Sequence, residues 1–329
     1  MADKMVYLDN AATTPLSRVA FNAMKPWLTT RYGNPSTMYR IGRDARNAIE
    51  RARAQVAKAI NASPDEIFFT SGGTESDNFA IKEGTRYCGS LITDSIEHHA
   101  VLNAYKRVRF DRDDMNCYMV EPDIFGHVNV DEFSGWAYHE SKYYKRPVFI
   151  TAMLVNNELG TQFPVKEIAL AARNAAADAN VSKSYIIVHT DAVQAIGHVP
   201  VDVKDLGVDM LSLSAHKFGG PKGVGAIYIK KSFMGHINPL IDGGGQERGM
   251  RSGTENVAGI VGLGAAIQCA TENLEKNMKH IAHLKELFIQ RCEDKSLFFI
   301  QNVDDTNSNI LSLRVPGHDS ESLILTLDM

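Results

Sequence analysis

The chain is short of the features that mark specialised protein classes. Its four cysteines, Cys88, Cys117, Cys269 and Cys292, form no C-x-x-C pair. That argues against a thiolate metal site or a disulfide framework. No run of 18 apolar residues occurs, and the N-terminus has no signal-peptide hydrophobic region. Neither a membrane span nor a secretory leader is therefore expected, and a cytoplasmic location is. The formal net charge is only −4, too balanced for a nucleic-acid or membrane footprint. His280 and His283 stand at helical spacing without nearby acids, which reads as a solvated helix face rather than a metal site. Repeats and low-complexity stretches are absent.

What is present is ordinary bulk. The 329 residues are 44% hydrophobic and 22% charged, enough for a large core with a smaller appended domain. Short apolar runs near Ile67–Phe69, Leu91–Thr93, Val148–Met153, Ile186–His189, Met210–Leu213 and Ala226–Ile229 read as strands. Helical patterns lie between most of them, as in a largely parallel sheet wound on both faces. Ala45, Ile49, Ala52, Val56 and Ala59 share one face of an amphipathic helix. Thr14-Pro15 is expected to cap a first helix. Ser134 to Lys145 reads as a surface helix or loop. One long helical pattern runs from Thr254 towards Cys292. Phe298–Ile300 and Ile310–Val315 read as strands of a small domain, followed by a helix capped by Asp319 or Ser320.

Three segments carry chemistry. The apolar run Asp209–Leu213 leads into Ser214-Ala-His216-Lys217 and a turn containing Gly219, Gly220 and Gly223. A lysine held there with its amine partly desolvated becomes a nucleophile able to form a Schiff base. Ser214 and His216 can donate to an anion, and the glycines let the backbone turn tightly beside a ligand. The bland alternative is a lysine solvated at the rim. A second run, Tyr185-Ile-Ile-Val-His-Thr190, ends in Asp191, with Gln194 three residues on. Ligands of open α/β sheets bind beyond such strand ends. A carboxylate there can keep a ring nitrogen protonated, as the electron sink of pyridoxal phosphate requires. Alternatively Asp191 only caps a helix starting near Ala192. In the third segment, Ile67-Phe-Phe runs through Ser71-Gly-Gly73-Thr74 into a helix, a phosphate site of backbone N–H groups at a positive helix end. It has neither P-loop lysine spacing nor G-x-G-x-x-G, so it fits pyridoxal phosphate better than a nucleotide.

These segments belong to a longer series. It comprises Tyr7-Leu-Asp-Asn-Ala-Ala-Thr-Thr-Pro15, Tyr32-Gly-Asn-Pro-Ser36, Thr70-Ser-Gly-Gly-Thr-Glu-Ser-Asp-Asn78, Glu97-His-His-Ala-Val101, Val155-Asn-Asn-Glu-Leu-Gly160, His189-Thr-Asp-Ala-Val-Gln194, the Lys217 segment, and Gly243-Gly-Gly-Gln-Glu-Arg-Gly-Met-Arg-Ser-Gly-Thr254. In this order the chain resembles the cysteine desulfurases of the class V aminotransferase group, which are fold-type-I pyridoxal-phosphate enzymes. The resemblance implies a mostly parallel seven-stranded α/β sheet in a large domain spanning 15–255. Residues 1–14 and 256–329 would form a small α+β domain, incomplete at its C-terminus. It implies pyridoxal 5'-phosphate bound covalently to Lys217, Asp191 on the ring nitrogen, Gln194 on the ring oxygen and His98 stacked over the ring. Gly73, Thr74, Ser214 and His216 would hold the phosphate. Asn157 would touch the ring or substrate, with Asn156 packing the backbone and Asn34 at the substrate mouth. Thr254 would reach a neighbour's phosphate in a homodimer, while Arg248 and Arg251 would anchor their loop. The implied reaction turns L-cysteine into L-alanine and an enzyme persulfide, destined for an acceptor such as an iron–sulfur scaffold protein or for tRNA thiolation.

One departure bears on activity. Family members place the persulfide cysteine in a flexible loop beyond the segment matching Asp319–Asp328, and an arginine for the substrate carboxylate further on. The sequence in hand reaches Met329. The chain as given is therefore expected to be inactive in sulfur transfer, with its four cysteines in structural positions. The alternatives are a non-catalytic pyridoxal-phosphate scaffold, a selenocysteine lyase or another class V aminotransferase.

Overall fold

A computed structural model describes residues 6–293, 299–300, 309–315 and 317–328. Its centre is a seven-stranded sheet. The strands are β1 (Ile67–Thr70), β2 (Ser90–Asp94), β3 (Asn116–Val120), β4 (Val148–Thr151), β5 (Ile186–Asp191), β6 (Met210–Ser214) and β7 (Gly225–Ile229). They lie in the order β1-β7-β6-β5-β4-β2-β3, and only β7 runs against its neighbours. β1 thus points the same way as β6 although the two are not adjacent.

Every residue of β1, β2, β4, β5, β6 and β7 is buried, because helices cover both faces. The helices around the sheet are α1 (Arg18–Thr29), α2 (Arg40–Ala59), α3 (Gly73–Gly84), α4 (His99–Asp111), α5 (Val130–Tyr143), α6 (Val165–Asp178), the single turn α7 (Val203–Leu206) and α8 (Val257–Glu272). Alternation along each strand divides the core. Val148 and Ile150 join Ile49, Phe133, Ile168 and Leu263 beneath α2, α5, α6 and α8. Phe149 joins Phe79, Val101 and Tyr105 beneath α3 and α4. Helix α8 lies close on its neighbours through glycine: a Cβ on Gly264 would meet the Cα of Ala52 on α2 at 2.8 Å. Beyond α8 come α9 (Leu274–Glu293), the antiparallel pair β8 (Phe299–Ile300) and β9 (Leu313–Arg314), and α10 (Ser320–Asp328).

Two local expectations change. The first helix starts at Arg18, with Ser17 as its cap accepting from the Ala20 N–H at 3.2 Å. Thr14 cannot start a helix because it is tied to the Lys217 turn: its N–H donates to the His216 carbonyl at 2.9 Å, and its hydroxyl accepts from the Gly219 N–H at 2.8 Å. The pattern from Thr254 to Cys292 forms two helices bent by 70° at Asn273, not one. Asn273 turns its amide back on the Cys269 carbonyl at 2.8 Å and ends α8. The segment from Ser134 to Lys145, expected as a helix or a loop, is the helical alternative and lies mostly within α5. The terminal helix starts as expected, Asp319 accepting from the N–H groups of Glu321 and Ser322, each at 3.1 Å. Phe298, the expected first residue of a strand, lies outside the described residues. Among the described residues, no single helix is long and apolar enough to cross a membrane.

Candidate active site

The carboxyl ends of β1, β4, β5 and β6 open on one cavity of about 490 Å³. Gly73, Thr74, His98, Asn157, Asp191, Gln194, Ser214, His216 and Lys217 all line it. Of the residues expected to bind the cofactor, Thr254 alone does not; it is exposed on the loop before α8.

Lys217 ends a short turn that follows β6. Its amine is half-buried, and desolvation pulls its pKa below the usual lysine value, against the opposing charges of Asp191 and Asp9. It donates to the backbone carbonyls of Ala11 and Ala12. The same N-terminal segment takes a bond from Gln194 Nε2, to the Ala11 carbonyl at 2.8 Å, and Thr13 Oγ1 lies 3.1 Å from His216 Nδ1. Residues 9–14 therefore form a strap across the lysine side of the cavity. Gly219 sits at φ +81 where the strap crosses, with Ser17 Cβ only 3.2 Å from where a side chain would begin.

Asp191 faces the cavity from the end of β5 and is 6% exposed. One oxygen accepts from the Val193 N–H at 2.8 Å, so it organises a turn, not a regular helix. Desolvation raises its pKa, while His98 and Lys217 favour the ionised form. Gln194 is buried, and its Oε1 has no protein partner. At the β1 end, Gly72 precedes α3 with no side-chain cap, leaving the first-turn N–H groups of α3 for an anion. A Cβ on Gly73 would lie 2.7 Å from Val193 Cγ2, so glycine is what fits there.

His98 is both surface cap and cavity wall. Its Nδ1 accepts from the Ala100 N–H at 3.1 Å at the start of α4, and its ring lines the cavity. Asn156 packs as expected, donating to the Ile96 carbonyl at 2.9 Å. Asn34 is exposed in a turn of its own, accepting from the Ser36 N–H at 2.9 Å, and is not part of the cavity wall. Arg248 bonds the Ile67 carbonyl at 2.6 Å, and Arg251 pairs with Glu75 at 2.8 Å; both hold the loop. Two features carry no mark in the sequence: Asp77, which lines the cavity from α3, and the strap residues Asp9, Ala11 and Ala12. Asp77 sits in a polar stretch that resembles any solvated helix start, and the strap acts through carbonyls that no side-chain pattern encodes.

The aminotransferase class-V family model matches residues 6–329. Over 335 residues the chain is 42% identical to the cysteine desulfurase IscS of Dictyoglomus turgidum, covering 98% of this chain and 79% of that protein. Among solved structures, a NifS-like protein superposes with a TM-score of 0.90 at 35% identity, covering 99% of this chain and 86% of the other. SspA in complex with cysteine superposes with a TM-score of 0.78 at 32% identity, covering 99% and 87%. The chain belongs to the class V aminotransferases, enzymes that depend on pyridoxal phosphate. The residues present fit that cofactor: a desolvated amine, a buried carboxylate, an unpartnered Gln194 oxygen and a glycine turn at a helix start share one cavity.

Proposed function

We propose that the chain acts as a cysteine desulfurase, taking sulfur from L-cysteine and leaving L-alanine. The observation that supports this best is the meeting of Lys217, Asp191, His98 and the Gly73–Thr74 turn in one cavity. Bound pyridoxal phosphate would supply an electron sink that loosens the substrate α-proton. Lys217 would hold the cofactor and then carry that proton, its lowered pKa leaving more free amine near neutral pH. Asp191 would hold the ring nitrogen and Gln194 the ring oxygen. Gly73, Thr74, Ser214 and His216 would bind the phosphate. His98 would cover the ring face, and Asn157 would touch the ring or the substrate. Thr254 would serve the phosphate of a second copy, making a homodimer. A sulfur-acceptor protein and a cytoplasmic setting belong to the same proposal.

The acceptor thiol is none of the three cysteines whose side chains are described. Burial pushes the Cys88 thiol up to about 12, and burial also raises Cys117. Neither these nor Cys269 lines the cavity, and an unplaced thiol loses the advantage of proximity. The test separates cofactor chemistry from sulfur capture. In deuterated water the loaded protein should exchange the cysteine α-hydrogen, read by mass spectrometry, and Lys217→Ala should not. A loaded wild type that exchanges nothing would instead be the non-catalytic scaffold. Persulfide mapped to Cys88, Cys117 or Cys269 would overturn the acceptor assignment.

A further inference from the structure

Behind Asp191 lies a second carboxylate that the proposed chemistry does not use. Asp77 stands one turn into α3 from Gly73, is 1% exposed and has an Oδ1 with no hydrogen-bond partner. It lines the cavity, and one donor atom each from Asp77, His98 and Asp191 lie within 4.8 Å of one another. A buried polar chain backs it. His189 Nε2 is 3.8 Å from Asp77 Oδ1 and 3.0 Å from Ser212 Oγ, while His189 Nδ1 is 2.8 Å from Thr151 Oγ1. Glu97 adds two more unpartnered oxygens and Asp94 one, both residues being buried.

We infer that Asp77 is a positioning residue, a neutral acid that leaves the single negative charge of the pair on Asp191, facing the cofactor ring. The inference rests on the reading of Asp191 as the partner of the ring nitrogen. Two carboxyl groups this close in dry surroundings do not both ionise. Their surroundings decide which keeps the charge. Asp191 has the Val193 N–H and the favourable fields of His98 and Lys217. Asp77 has only the Ser212 hydroxyl to favour its anion, against desolvation and the charge of Asp191. Burial holds the facing imidazole, His189, neutral, with its pKa down at about 3, so it brings no compensating cation. Glu97 and Asp94 are themselves pushed up by desolvation, so they also resist ionising. One anion against the ring nitrogen holds its proton without a second charge buried at the same place.

Asp77→Asn keeps the shape and removes the titration. An acid whose folded pKa is raised is fully tolerated below its unfolded value and costs stability as pH climbs from there towards the folded value. Wild type should therefore lose thermal stability relative to Asp77→Asn as pH rises from about 5 to 8, the gap reaching about 2 °C or more. Asp94, Glu97, Asp191, His98, His189 and Lys217 remain in both proteins and largely cancel. The infrared difference between the two at neutral pH should show the carbonyl stretch of a protonated acid. Asp77→Ala gives the same infrared comparison should the asparagine variant fail to fold. A carboxylate band, or a stability gap that does not change with pH, overturns the inference. Asp191→Asn tests the reading beneath it: cofactor affinity should fall about tenfold or more. If it does not, the Asp191 reading fails first, and the inference with it.

Discussion

A charge taken out of water must be paired, neutralised or put to use, and this protein does each at a different residue. Lys217 is put to use. Lys217→Ala should abolish the borohydride-reducible link to pyridoxal phosphate while leaving some non-covalent binding, and an unchanged adduct would place the link on another lysine. Asp94 is neutralised: desolvation pushes its carboxyl up to about 7, one oxygen is unpartnered, and the other accepts from the Ile96 N–H at 3.0 Å. Asparagine can keep that bond. Asp94→Asn should match wild type near pH 4 and be the more stable by about 1–4 kcal/mol above pH 7, as urea midpoints at a series of pH values would show. Lys217, Asp191 and Thr74 were legible in the sequence because each ends or follows an apolar run, where a polar residue is conspicuous. Asp77 was not, since its neighbours Glu75, Ser76 and Asn78 are polar too and burial is a property of the folded helix.

Among elements, the loop from Gly243 to Thr254 holds two adjacent residues in strained backbone. Glu247 and Arg248 both adopt left-handed backbone, at φ 46 and 57, which side chains other than glycine, asparagine and aspartate rarely take up. Three attachments hold them there. Arg53 meets both oxygens of Glu247 at 2.7 and 2.8 Å, Glu247 accepts from the Phe69 N–H at 2.8 Å, and Arg251 grips Glu75 on α3. The loop is thus fixed to both sides of the Thr70–Gly73 turn. Arg53→Leu strands a buried carboxylate and should cost about 3–5 kcal/mol. Combined with Glu247→Gln it should cost clearly less than the sum of the two single changes, as a double-mutant cycle would measure. The central strands were legible to within a residue or two, because both-face burial writes them as continuous apolar runs. The break between α8 and α9 was not: it depends on one asparagine side chain folding back on a carbonyl, and helical periodicity passes through it undisturbed.

For the whole molecule, the exposed position of Thr254 bears on assembly. If it completes a second copy's phosphate site, sedimentation should show a dimer. Thr254→Ala should then weaken cofactor retention about threefold to tenfold, the effect of one lost bond to an anion. A monomer holding the cofactor at full occupancy would contradict the shared site. The proposed division into a large domain over 15–255 and a small one over the remainder predicts proteolytic cutting in the exposed stretch around Gly253 and Thr254 before the seven-stranded sheet is attacked.

The strap over Lys217 also sets an order in time. Ala11 and the lysine it holds are 206 positions apart in the chain. At typical synthesis rates of about 5–20 residues per second, the strap waits roughly 10–40 s for its partner to be made. Strands β1 to β4 have their full sequence well before then. The cofactor site is therefore among the last parts of this body to be completed on the ribosome. A nascent chain arrested before Lys217 should bind no pyridoxal phosphate covalently, however well its earlier strands have formed.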